Sequence, residues 1–136
     1  MGDDNETANT LPLPTQLGNT AVVIGGQLAP LQFVTQGQIN ALVPYGVSMN
    51  TQQQILVQRG VTYSQPVSVD VAPAQPQIFR AGGVNPGIIV AVKSDGTQFL
   101  VSSSSPASAG DVLVIYCAGL GPVDQNIEAG SQTPAS

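Results

Sequence analysis

An all-β fold, a small antiparallel sandwich, is what the sequence predicts, and three observations carry it. Eleven prolines and fifteen glycines are spread over 136 residues, so every window long enough for a helix is broken. No segment repeats apolar residues with helical spacing over three turns, whereas several short runs alternate apolar and polar side chains. Turn signals separate those runs at short intervals, as a sandwich requires.

The clearest stretch is Gly25 to Val47. Gly25-Gly26 closes the apolar run Thr20 to Ile24 with two residues that tolerate positive φ, and Ala29-Pro30 opens Leu31 to Val34. Ile39 to Val43 follows and is stopped by Pro44-Tyr45-Gly46, with Gln36, Gln38 and Asn40 on the solvent side by alternation. Gln53 to Arg59, Gly60-Val61 and Thr62-Tyr63-Ser64 read as a hairpin, and Val67, Val69 and Val71 alternate with Ser68 and Asp70 as a half-packed strand. Farther on, Gly87 to Val92 and Gln98 to Val101 flank Asp95-Gly96, a two-residue hairpin signal. The last strand is Val112 to Cys117, in which the single cysteine reads as a buried, inert thiol. Val22, Ile24, Phe33, Ile39, Leu56, Val69, Val90, Leu113 and Ile115 are expected among the buried residues.

Pro73-Ala74-Gln75-Pro76 follows a complete strand and is the expected boundary, with Ile78-Phe79 tucking into the start of a second unit. The serine-rich stretch Ser102 to Ser108 is then a loop within that unit.

Three segments carry a family resemblance: LPLPTQLGNTAVVIGGQLAPLQFVTQGQINALVPYGV, VTYSQPVSVDVAPAQPQIF and SPASAGDVLVIYCAGLGPV. Over Leu11 to Pro134 the chain resembles the uncharacterised C-terminal domain family of secreted proteins from Solibacter-type soil bacteria, which is similar in turn to the IPT/TIG branch of immunoglobulin-like folds. The resemblance implies an immunoglobulin-like antiparallel β-sandwich, one complete-looking unit plus part of a second, and brings no activity with it. It divides the chain into a polar tail at 1–10, an immunoglobulin-like β unit at 11–73 and a second partial unit at 74–136. In the family's order a G-D-V-L-V-I-Y strand precedes the G-G-x-x-A-P segment, whereas here it follows. Three closures are open: excision from a longer chain, pairing of the terminal segments within one molecule, or completion of one copy's sheet by the next copy's strand. Val112, Leu113, Val114, Ile115, Tyr116 and Cys117 form the candidate assembly strand.

Composition narrows the function. Charged residues are 8% of the chain, against about 25% in typical domains, so Gln, Ser, Thr, Asn and Gly must build the surface, as on many secreted and cell-surface proteins. The only cations are Arg59, Arg80 and Lys93 in a chain of net charge −5, too few and too scattered to displace counterions from nucleic acid. No apolar run is long enough to span a membrane, and the acidic start MGDDNETANT is unlike a signal peptide, as expected if export has removed one or the chain is a piece. Without histidine neither a Ser-His-Asp nor a Cys-His arrangement can form, a zinc site would have one thiol and no imidazole, and no glycine-rich loop leads into a helix to hold phosphate. Asp3, Asp4 and Glu6 read as a solvated tail and not a calcium loop, and Asn5-Glu6-Thr7 fits the N-glycosylation pattern.

The expectation is therefore a non-enzymatic extracellular structural or assembly module without cofactor or metal. Its partners are copies of itself, head to tail, or other domains of a longer secreted protein. A filament subunit assembled by strand donation and a carbohydrate-binding module are the alternatives.

Overall fold

The computed structural model describes residues 5–80, 87–124 and 126–134, and every regular element among them is a β-strand. The chain divides into two units, Met1–Pro73 with Pro122–Ser136 and, separately, Ala74–Gly121.

The first unit contains β1 (Glu6–Thr7), β2 (Gln16–Leu17), β3 (Thr20–Ile24), β4 (Gln27–Leu28), β5 (Leu31–Val34), β6 (Ile39–Ala41), β7 (Thr51–Arg59), β8 (Thr62–Tyr63) and β9 (Val67–Val71). One sheet has the order β1-β5-β6; the other runs β2-β3-β7-β8, with β4 also on β3 and β9 also on β7. All pairings in this unit are antiparallel. The core lies between the sheets: Val22 and Ile24 from β3 meet Leu31 and Val34 from β5, with Ala29 and Val47 from the connections. Register explains the choice, because Val22 stands opposite Val57 and Ile24 opposite Ile55, so alternate residues of β3 and β7 share one inward face. This is a two-layer antiparallel sandwich of the immunoglobulin-like kind.

The local signals account for its corners. Gly25 and Gly26 take φ of 57° and 82°, the left-handed pair a tight β3–β4 hairpin needs, and Val23 and Ile24 pair with Leu28 and Gln27 across it. Gly60-Val61 joins Arg59 to Thr62 as a two-residue turn. Gln36, Gln38 and Asn40 are exposed, with Gln38 Nε2 donating to Asn40 Oδ1 at 2.7 Å.

The second unit contains β10 (Gln77–Ile78), β11 (Ile89–Val92), β12 (Gln98–Leu100), β13 (Val112–Ile115) and β14 (Cys117–Ala118). Its sheets are β12-β11-β13 and β10-β14, and both are antiparallel. Ala91, at the middle of β11, is fully buried.

Several expectations are corrected. Residues 1–10 are more than a tail: Glu6 and Thr7 pair with Val34 and Phe33, whose sheet edge would otherwise be open. Asp3 and Asp4 lie outside the described residues. The segment assigned to the second unit through residue 136 leaves it at Gly121 and rejoins the first unit, where Leu13 N–H donates to Gly130 O at 2.9 Å. Ile78 and Phe79 do not tuck into a core but are partly exposed, held by pairing of Ile78 with Cys117 and a Phe79 N–H bond to Tyr116 O. Leu113 and Ile115, expected inside, are 47% and 48% exposed because β13 ends its sheet and no second layer covers it among the described residues. Phe33, Ile39, Leu56, Val69 and Val90 are half-buried, and the buried apolar residues beyond Val22 and Ile24 are Ala21, Ala29, Leu31, Val34, Val47 and Ala91 among those described.

The Asp95-Gly96 connection is longer than two residues. Gly96 N–H donates to Lys93 O and Lys93 N–H to Thr97 O, each at 2.9 Å, so the loop is a turn closed by a left-handed glycine. Thr97 N–H also donates to Asp95 Oδ1 at 2.9 Å, and this bond holds the Asp95 carboxyl below the usual carboxylate range. A carboxyl whose folded pKa is lowered contributes stability above its unfolded pKa and loses it as pH falls through the folded one. In an NMR pH titration the Thr97 amide shift should therefore follow Asp95 with a midpoint below that of an ordinary aspartate. A midpoint at or above the ordinary value would refute the cap.

Candidate functional site

The candidate assembly strand, Val112 to Cys117, falls on β13, Tyr116 and the start of β14. Its four β13 residues pair in one antiparallel register with β11: Val112 with Val92, Leu113 with Ala91, Val114 with Val90 and Ile115 with Ile89. The strand thus lies in its own chain's sheet, and pairing in trans is not needed to hold it. Donating it whole to another copy would first require stripping it from β11. Cys117 is half-buried opposite Ile78.

Two hydrogen bonds set the phase of the strand. Val101 N–H donates to Ile89 O at 2.9 Å, so the backbone groups of Ile89 and Ala91 face β12. Tyr116 N–H donates to Ile88 O at 3.1 Å, so the even-numbered residues of β13 face β11. The N–H and C=O of Leu113 and Ile115 therefore point outward from the sheet edge, where no strand is paired among the described residues. Past Ile115 the strand leaves β11 and takes up β10 on the same side, since Phe79 N–H donates to Tyr116 O at 2.9 Å and Ile88 N–H to Phe79 O at 2.7 Å, so β10 does not cover the outward edge.

Side chains leave the same edge apolar on both faces. Val112 and Val114, on one face, are 65% and 41% exposed. Leu113 and Ile115, on the other, are about half exposed, and Tyr116 is as well. From Val112 to Ala118 the run holds no charge, no proline and no glycine. A continuous apolar run of this kind normally belongs to a strand buried on both sides.

Other features offer less chemistry. A cleft of about 390 Å³ in the first unit is bounded by Thr20, Val34, Gln36, Gln38, Ile39 and Arg59. One of about 410 Å³ in the second is lined by Gln75, Gln77, Ile78, Phe79, Arg80 and Ala118, with Gly119. Each wall combines amides and apolar groups with one guanidinium, a set that can form hydrogen bonds but has no ordinary proton donor–acceptor pair. Two carboxylates serve turns, Asp95 capping Thr97 and Asp111 Oδ2 accepting from Ser108 N–H at 2.9 Å. Among the described residues no three of His, Cys, Asp and Glu gather in one place, and no helix is long and apolar enough to cross a membrane.

Comparison with protein-family models, with curated proteins and with solved structures finds no match to this chain.

Proposed function

We propose that the chain is a non-enzymatic structural and assembly module of a secreted or cell-surface protein, related to the Solibacter-type domain family its motifs resemble. The observation that carries this reading is the apolar, charge-free edge at Val112 to Ile115, left exposed in the second unit. Unpaired strand edges are adhesive, and native proteins keep them where a partner is to be bound. The uncharged polar surface and the use of Asp95 and Asp111 in turn capping support a scaffold role. Neither strand donation nor carbohydrate binding has a specific geometric feature of this kind behind it.

The test is a panel of hydrolase, transferase and redox assays on repurified chain, with no turnover expected. An activity that persists through repurification and vanishes on a single substitution would overturn the proposal.

A further inference from the structure

We infer that β13 pairs with β13 of a second copy, antiparallel and about a two-fold axis, to make a closed dimer. This rests on the assembly reading above and specifies its partner.

The other edges of the described strands are blunted in ways β13 is not. β1, β2, β4, β8, β10 and β14 are two residues long, and β6 and β12 three. β9 is longer but carries Asp70 and lies between Pro66 and Pro73. Short length, charge and flanking proline are the usual means by which an edge is kept from pairing. β13 has four residues and none of the three devices.

The occupant follows from the chemistry of the edge. A strand added there must be uncharged and apolar on both faces, because Val112 and Val114 lie on one side and Leu113 and Ile115 on the other. Within this chain β3 and β11 approach that description, but both of their edges are taken. Among the described strands only β13 combines such a sequence with a free edge, so the edge is complementary to itself.

Register and charge agree. The outward backbone of Leu113 can exchange two hydrogen bonds with Leu113 of the partner subunit, which makes it the centre of an antiparallel pair. Val112 then stands opposite Val114 of the partner subunit, and Asp111 opposite Ile115 of the partner subunit. The two Asp111 carboxylates are four residue steps apart along the strands, roughly 14 Å, beyond the ~8 Å screening length at physiological salt. Because the same patch is used on both copies, the contact closes on itself and does not propagate into a fibre.

Sedimentation or light scattering of the full chain over a range of concentrations should show a monomer–dimer equilibrium with the mass ending at twice the chain. Val112→Lys, which sets an ammonium against Val114 of the partner subunit, should return the protein to monomer with its far-UV circular dichroism unchanged. Leu100→Lys places the same charge on the same face at the opposite edge of the sheet and should leave the dimer intact. Should Val112→Lys fail to fold, hydrogen exchange on the native chain decides, with the amides of Leu113 and Ile115 gaining protection as concentration rises. A monomer at every concentration, open fibres, or a dimer that forms without protecting those amides would overturn the inference. None of these results bears on turnover, so the proposed non-enzymatic role stands or falls separately.

Discussion

Leu31→Ala should destabilise the first unit by about 2–5 kcal/mol, the range for truncating a fully enclosed leucine. Leu31 is entirely buried, at the start of β5, where it joins Val22, Ile24, Ala29, Val34 and Val47 between the two sheets. Removing its isobutyl group loses transfer free energy and leaves a void that neighbours on two sheets can only partly fill. Such a loss is a large share of the ~5–15 kcal/mol that holds an ordinary domain. Leu28→Ala makes the same chemical change three residues earlier on a side chain that is 52% exposed, and should cost within about 0.5 kcal/mol. Urea unfolding followed by circular dichroism checks the pair, with a lower midpoint and unchanged slope for Leu31→Ala alone. Equal midpoints for the two variants would show that Leu31 is not the centre of this core.

Gly119→Ala should disrupt the second unit. Gly119 follows β14 at φ 77°, and its carbonyl accepts a 2.8 Å bond from Gln75 N–H. A Cβ there would collide with Gln75 O and come within 2.8 Å of the Gln75 carbonyl carbon, both backbone atoms with little freedom to yield. The left-handed backbone costs a non-glycine residue about 1–3 kcal/mol by itself, and the collision adds to it. Gly96→Ala separates the two causes, since Gly96 has φ 84° but nothing within 4 Å of the added carbon. Hydrogen exchange should show Gln75 and Phe79 losing protection in Gly119→Ala, while Gly25, bonded to Gln54 O in the first unit, keeps it. Matching behaviour of the two alanine variants would mean that the close approach to Gln75 carries no weight.

Strand positions were legible because they depend on neighbours in sequence. Thr20–Ile24, Leu31–Val34 and Val67–Val71 have the limits that apolar runs and turn residues dictate. The hairpin at Gly60 and the turn at Gly25-Gly26 were equally plain, since few residues other than glycine take the backbone conformation they need. The Asp95-Gly96 loop was placed correctly but measured too short, because its length is set by hydrogen bonds from Gly96, Lys93 and Thr97 that composition does not specify.

Which side of a strand is buried was less legible. Ile55-Leu56-Val57 is apolar without alternation, and nothing local says whether Leu56 or its two neighbours face the core. Pairing with β3 decides it, putting Ile55 and Val57 inward beside Ile24 and Val22, and Leu56 on the other face opposite Val23. The candidate site shows the same division: the run from Val112 to Cys117 was found as a strand, and its apolar character was evident. Its exposure was not, since a run of that composition is usually central to a sheet.

By itself, then, the sequence determined an all-β chain, the positions of its main strands and turns, and a scarcity of charge that leaves no clustered cations. Tertiary structure alone decided that β13 stands at an edge, that residues 6–7 pair with β5, and that Gly130 returns to Leu13. The physical reason is that alternation and turn chemistry act over a few residues, whereas an edge is defined by the absence of a neighbouring strand, and that neighbour can come from anywhere in the chain.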